Sequence, residues 1–567
     1  MARGYRPVDR DQQFVVPPDM REWLPGDHPV WVLIEAVGLL DTSAFHAGRR
    51  TGAAGRAGYD PDMLLTLVLY AYARGVTSSR RIERLCWEDV GFRVICAQDG
   101  PDHTTIARFA DAGAEAVQEL FTEVLVLCAR MGMGRLETIT LDGMKIGANA
   151  SKKANRSEKR LRQELGGVAG SAVAEHRRTD AAEDAQFGDR RGDELPGRLA
   201  STRTRVDRIR GAIEDIEAER EKREAGREAE EVAAAERYLA RPEADKKGKP
   251  PGQARVEANR RRLEQVRADY QAYVDEWHRR NEASIAETGK KLPGRRPVPV
   301  DEHNKVARVA RALAKAEAEA DAAARTRKQQ VSSGEGPVRN TTDPDSRLMP
   351  AAHGGFIQAY NAQNVVSADG LIIATKLTQD PTDTPWAEPM MRAAEQSAAE
   401  MSTGSAETTE GPREGSDDHD GDAGGEGGEN AVHRPGIGIM LMDAGYLSRH
   451  NLTIAGPDRL IAVSKHRDLE KAAKNDSAAE PVSDRNDPIA QMADRLRTKQ
   501  GIAAYRQRGH IAETPHGHIK HNQGHRSLSR RGKCRAETQW QLLCSTHNLF
   551  QLIREITQTG KPLPLPI

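Results

Sequence analysis

Three carboxylates stand where phosphodiester chemistry could use them. Asp142 closes the run 136–141 (Leu-Glu-Thr-Ile-Thr-Leu), and Asp443 closes Ile-Gly-Ile-Met-Leu-Met at 437–442. Glu513 opens a helix-like, basic stretch that continues Gly517-His518-Ile519-Lys520. Two strand ends and one helix can bring three acids to one point. Three such acids can hold two Mg²⁺ ions, hard cations that take oxygen ligands and serve phosphoryl transfer. Each acid also has a plainer reading. Asp142-Gly143 is a common turn pair, Asp443-Ala444-Gly445 can cap the segment after it, and Glu513 can be a surface glutamate. Two aspartates that both follow apolar strands favour a site, because ligands gather at the carboxyl ends of strands in α/β sheets.

The third acid has the most telling surroundings. Between Arg495 and Arg535 there are eleven Lys or Arg residues and one acid, Glu513. A basic stripe around one glutamate fits a polyanion held against a catalytic acid. Pro515 is tolerated in a helix only near its first turn, which predicts a helix beginning there. Glu513 and Lys520, seven apart, would then share a face, one for metal and one for a phosphate. Histidines 510, 516, 518, 521 and 525, with Cys534 and Cys544, fit no closed tetrahedral zinc pattern. DNA-contacting or exposed histidines explain them more simply. No GxxxxGK[ST] run is present, so nothing supports an ATP motor.

The elements that must position these residues can be traced along the chain. Met63–Ala73 is apolar nearly all round and predicts a buried central helix. Ser78 or Ser79 caps the next, and Asp102 caps one after a Gly-Pro turn. These short helices carry Arg80, Arg81, Arg84, Arg93 and Arg108, the pattern of a helix-turn-helix-like DNA reader or of a plain bundle with a basic face. After Asp142, residues 143–151 predict a second strand, paired with the first as a hairpin. Heptad spacing at Leu199, Val206, Ile209, Ile213 and Ile216, and again at Val256, Leu263, Val266, Tyr270, Tyr273 and Trp277, predicts a helical hairpin around the Pro-rich breaker 241–252. Val306, Val309 and Leu313 extend the pattern towards Ala316 and Ala320. Two β-rich runs around Asp369-Gly370 predict a β-hairpin, and 387–400 a helix. Residues 401–435, rich in Gly and acid, predict a disordered linker. Residues 537–553 predict an amphipathic helix.

The 567 residues exceed one core's usual reach. Lys+Arg and Asp+Glu balance at 84 each, yet nine acids and one Arg crowd 407–429. Aromatic residues at 4% and charged ones at 30% fit folded cores diluted by long solvated helices. Five cysteines without framework spacing read as reduced thiols. No run is long enough to span a bilayer and MARGYRPVDRDQQ has no signal-peptide core, so the expectation is a soluble cytoplasmic protein.

Several blocks are familiar. TLDGMKIGANAS (140–151), NTTDPDSRLM (340–349), GGFIQAYNAQNVVSADGLIIATKLTQDPTD (354–383), IMLMDAGYLS (439–448) and the block 505–552 resemble, in order, the conserved blocks of bacterial DDE-type insertion-sequence transposases. Residues 59–109 resemble their N-terminal domain. The resemblance implies an α/β fold: an RNase H-like catalytic core with an N-terminal all-α domain and an inserted helical coiled-coil hairpin. The boundaries expected are 1–125 for the DNA-binding helices, 126–155, 336–400 and 436–567 for the core, 156–335 for the insertion and 401–435 for the linker. It further implies Asp142, Asp443 and Glu513 as catalytic acids holding two Mg²⁺ or Mn²⁺ ions. Lys145, Arg506, Arg508, Lys520, Arg526, Arg80, Arg81 and Arg84 are the expected DNA contacts. The partners implied are double-stranded DNA, as transposon ends and target, and further copies of the chain in a dimer or larger assembly at the nucleoid. Where the family has proline directly after the third acid and an aromatic soon afterwards, this chain has Thr514 and then Pro515-His516. The rival readings are a non-catalytic DNA-binding or repressor derivative of the same fold, and a nuclease that cuts without joining.

Overall fold

The computed structural model describes residues 19–47, 58–111, 113–166, 202–240, 252–332, 337–351, 354–406, 436–463 and 487–564. These fall into two compact units, one comprising the described residues through Ala154 and from Thr342 onward, the other those between Asn155 and Thr341.

The first unit is mixed α/β. Its helical opening comprises α1 (Pro29–Val37), α2 (Ser43–His46), α3 (Pro61–Ala73), α4 (Ser79–Glu88), α5 (Val90–Ile95), α6 (His103–Ala110) and α7 (Ala114–Arg130). The starts follow the predicted chemistry. Asp60 accepts from Asp62 N–H ahead of Pro61 at the first turn of α3, Ser78 caps α4 through Arg81 N–H, and Asp102 takes the N–H groups of Thr104 and Thr105. Helix α3 is the buried centre of this part, with Leu64 through Tyr72 all withdrawn from solvent. Its core is continuous with that of the sheet.

The sheet orders its strands β4 (Arg347–Pro350), β5 (Phe356–Ser367), β1 (Thr138–Gly147), β7 (Ile439–Met442) and β8 (Asp458–Ile461), with β6 (Ile372–Thr378) also paired to β5. β5 runs antiparallel to β1, β4 and β6, whereas β7 runs parallel to β1 and β8 to β7. The β5–β6 hairpin turns at Ser367–Gly370 as predicted, with Gly370 at φ +86° and the Asp369 carboxylate holding Ser367 Oγ at 2.6 Å. The hairpin expected after Asp142 does not form. β1 is one unbroken strand from Thr138 to Gly147, and Gly143 keeps a negative φ and continues the ladder opposite Gln363.

Helix α12 (Ala387–Ala406) follows β6 and extends six residues into the predicted linker, the remainder of which lies outside the described residues. After β7 come α13 (Arg449–Thr453), α14 (Pro488–Arg497), α15 (Lys499–Gly517) and α16 (Lys533–Thr559). α16 corrects the amphipathic reading: Ala536 and Thr538–Leu549 are buried on every side. Its polar side chains are bonded rather than solvated. Asn548 both donates to and accepts from the backbone of Ile372, at 2.9 Å each way.

The second unit holds β2 (Asn155–Ser157) paired antiparallel to β3 (Val338–Asn340), the short α8 (Glu158–Gly166), and three long helices, α9 (Thr202–Ala240), α10 (Gly252–Thr288) and α11 (Asn304–Ser332). Two small cores follow the heptad positions: Ile209, Ile213 and Ile216 with Leu161, and Leu263 and Val266 with Val306 and Val309. Tyr273, placed on the same seam by spacing, is 55% exposed, so the apolar seam ends before it. Leu199 and most of the predicted breaker lie outside the described residues.

Candidate active site

The register of two parallel strands builds the centre. β1 pairs with β7 so that Leu141 stands beside Met442. The next residues on the two strands are Asp142 and Asp443. Asp142 lies within β1, not at its end as the sequence had implied, and Asp443 follows the last residue of β7. Asp443 also caps the turn 444–446, accepting from Gly445 N–H at 2.9 Å, so capping and site placement coexist.

Helix α15 lies over this point. Tyr505, Arg508, Ala512 and His516 recur at three- and four-residue spacing and face the strands. Tyr505 donates its hydroxyl to Met442 O at 3.1 Å. Arg508 brings Nη1 within 3.6 Å of Asp142 Oδ1, and His516 brings Nδ1 within 3.9 Å of Asp142 Oδ2. Burial pushes the Asp142 carboxyl up to about 6; Arg508 opposes this, while Asp443 and Asp383 add to it. Arg508 Nη1 is buried without a hydrogen-bond partner among the described residues. A desolvated anion beside two more acids, with one arginine in attendance, is a setting that a hard cation would relieve.

The third acid at this point is Asp383, which the sequence reading did not single out. Its Oδ1 accepts from Asn361 Nδ2 and Gln363 Nε2, both at 2.7 Å, with Lys145 Nζ at 3.4 Å. Its Oδ2 lies 3.3 Å from where a Cβ on Gly445 would stand, and Asp443 Oδ1 lies 3.0 Å from the same place. A Cβ on Gly143 would overlap Asp383 Oδ1 outright. Two glycines therefore give the carboxylates room to converge. The signal was available in Thr378-Gln379-Asp380-Pro381-Thr382-Asp383: an acid in a short loop between a strand and a helix. Tyr446, fully buried, donates to Gln363 Oε1, and burial with all three aspartates nearby raises its phenol well above the usual range.

Glu513 is not with them. It is exposed and lines, with Gly509, His510, Gln551 and Arg554, a groove whose walls include neither Asp142 nor Asp443. The expected helix start at Pro515 is also corrected. α15 begins at Lys499, where Thr498 caps it, and Pro515 sits in its last turn before a π-helical segment at His518–Asn522. Lys520 thus lies beyond the α-helix and shares no α-helical face with Glu513. Its Nζ donates to Lys145 O at 2.7 Å, and Lys145 is itself engaged with Asp383. Both ammonium groups hold the site together instead of projecting from it. Arg506 and Arg526 are exposed, as are Arg80, Arg81 and Arg84 on α4. Among the described residues, the one group of His, Cys, Asp or Glu whose ligating atoms all lie within 4.8 Å of each other is His46 at the end of α2 with Asp60 and Asp62 at the start of α3. Asp62 there is already bonded to Thr42 Oγ1 at 2.6 Å and His46 Nε2 at 3.1 Å.

No described helix is long and apolar enough to cross a membrane. Comparison with curated proteins and with solved structures gives no match. Residues 18–112 match the family model described as Transposase domain (DUF772), and residues 471–553 match Transposase DDE domain. Asp142, Asp383 and Asp443 lie outside both matched segments, and Glu513 lies within the second. A transposase-domain match ahead of the sheet and a DDE-domain match that includes α15 together support an insertion-sequence DDE-type transposase.

Proposed function

We propose that the protein binds the terminal inverted repeats of an insertion sequence, cuts the DNA at the element ends and joins the freed 3′-hydroxyl to target DNA. The observation that carries this reading is the β1–β7 register, which sets Asp142 beside Asp443 under Arg508. The mixed sheet, with helices packed on it, is compatible with the RNase H-like core that the resemblance implies.

The carboxylate donors fit a divalent cation. Asp142 and Asp443 would hold Mg²⁺ or Mn²⁺, with Glu513 the third ligand by resemblance and Asp383 the third by position. Such ions would supply Lewis acidity to a water or hydroxyl nucleophile and charge neutralisation to the departing oxygen of an in-line phosphoryl transfer. The chain's own residues prepare the place. Arg508 offsets the charge of Asp142, and Tyr446 through Gln363 and Lys145 through Asp383 fix the floor. Arg506, Arg526, Arg80, Arg81 and Arg84 are exposed cations suited to phosphates, which makes binding steeply salt-dependent. Two element ends must be held at once, so a dimer or larger assembly is the working form.

The test is an assay of end cleavage and joining on terminal-repeat DNA with Mg²⁺, comparing wild type with Asp443→Ala. The reading expects both steps in the wild type and neither in the variant. The placement of Glu513 favours one second reading, a DNA-binding derivative that does not cut. It expects repeat binding without cleavage in either protein.

A further inference from the structure

A row of polar side chains crosses the sheet beneath α15. Asp142 on β1 is in register with Asn364 on β5, and Asn364 with Thr375 on β6. Directly opposed residues share a face, so the three side chains stand in line. Trp540 of α16 closes the far end by donating Nε1–H to Thr375 Oγ1 at 2.7 Å. Thr375 Oγ1 lies 2.6 Å from Asn364 Oδ1, and Asn364 Nδ2 lies 2.8 Å from His516 Nε2.

The donors impose a direction. An indole N–H can only donate, so Thr375 Oγ1 accepts it and donates its own O–H to Asn364 Oδ1. The Asn364 amide then donates to His516 Nε2, which must be bare. The ring proton is left on Nδ1, the nitrogen that faces Asp142 Oδ2 at 3.9 Å. Reversing Asn364 would aim its amide N–H, together with Trp540 Nε1–H and the Cys544 thiol 3.8 Å away, at Thr375 Oγ1, three donors on one hydroxyl oxygen. His516 is 9% exposed, and with Nε2 accepting from the Asn364 amide the ring carries one proton and no charge. A neutral donor can orient a carboxylate without neutralising it.

We propose that His516, locked as the Nδ1–H tautomer by the Trp540–Thr375–Asn364 relay, is a positioning residue for Asp142. It directs Oδ2 while Arg508 attends Oδ1. The role rests on the reading of Asp142 as a metal ligand, and outer-shell partners of this kind are worth about 10- to 100-fold in metal affinity.

The experiment uses the full chain labelled with ¹⁵N-histidine, reading long-range ¹H–¹⁵N spectra and Mn²⁺ titrations. The His516 signals are identified by their loss in His516→Phe. In the wild type, Nδ1 is expected to be protonated and Nε2 bare. Thr375→Val, which removes the hydroxyl at nearly constant volume, is expected to mix the tautomers and weaken Mn²⁺ binding about tenfold. Thr375→Ser is expected to restore both. An Nε2–H ring in the wild type, or a tautomer indifferent to Thr375→Val, overturns the proposal. Asp142→Asn is run beside these. If it abolishes Mn²⁺ binding while Thr375→Val leaves binding unchanged, the positioning role fails alone. If Asp142→Asn binds Mn²⁺ normally, the ligand assignment itself fails.

Discussion

Arg508 Nη1 stands 3.6 Å from Asp142 Oδ1, joining helix α15 to the middle of β1 at the one place where β7 delivers a second aspartate. Removing the guanidinium leaves a desolvated carboxylate with acids for neighbours. Arg508→Met is expected to lower stability by about 2 kcal/mol at pH 7, in the range for orphaning one partner of a largely buried pair that can still take up a proton. Urea unfolding measures this, and added Mg²⁺ should recover part of the loss. A variant as stable as wild type without metal would show that the two groups do not interact.

The Asp142 carboxyl also dictates a pH dependence. Its value in the folded chain is about 6 against the ordinary 3.8, so the fold binds more protons than the unfolded chain between those limits. Stability contributed by the neutral acid is therefore lost as pH rises from about 4 to 6 and stays lost above that. Asp142→Asn should stabilise the metal-free protein by at most about 3 kcal/mol at pH 7 and by almost nothing near pH 3.5. Equal differences at both pH values would contradict the burial argument.

His516 gives the opposite slope. Burial first, with nearby cations, lowers it to about 3 from 6.5, so the unfolded chain binds the extra proton. Its contribution is whole above pH 6.5 and drains away as pH falls towards 3. His516→Phe should flatten that acid limb of the stability curve. An unchanged limb would place the ring in solvent.

Gly143 is predicted to tolerate no side chain. A Cβ there overlaps Asp383 Oδ1 and lies 2.8 Å from Gln363 Nε2. Gly143→Ala should cost about 1–3 kcal/mol by thermal unfolding, as overpacking does. Adding Asp383→Gly should recover most of it, and failure of that rescue would remove Asp383 from the centre.

Most of what the sequence made legible was local. The caps Asp60, Ser78 and Asp102, the buried α3 and the Asp369-Gly370 hairpin each depend on a few adjacent residues. Pairing Asp142 with Asp443 was legible as two apolar runs ending in acids, but the sequence could not supply the register that sets them side by side. Asp142-Gly143 misled because its turn chemistry is real, yet here the glycine serves the approach of Asp383 from 240 positions away in the chain. Pro515 misled because helices usually begin with proline, and α15 instead carries it in the final turn. Burial of α16 on all sides was hidden because its polar residues are paid for by long-range bonds such as Asn548 to Ile372.

The identity of the third acid separates two outcomes. If Asp383 completes the centre, Asp383→Asn should lower end cleavage about 100-fold or more while Glu513→Gln changes it little. If DNA binding rearranges the Pro515 and π-helical segment to bring Glu513 inward, Glu513→Gln should be as damaging as Asp443→Asn. Single-turnover cleavage of pre-nicked terminal-repeat DNA measures both.

If Asp142 and Asp443 share one divalent centre, Fe²⁺ used in place of Mg²⁺ maps it directly. With ascorbate and peroxide, the bound iron cuts the nearest backbone, and mass spectrometry reads the cuts. Cleavage is expected to cluster at 141–144 and 442–446, to be suppressed by Mg²⁺ and to be lost in Asp142→Asn. Cuts confined to 46–62, or none that Asp142→Asn alters, would contradict it.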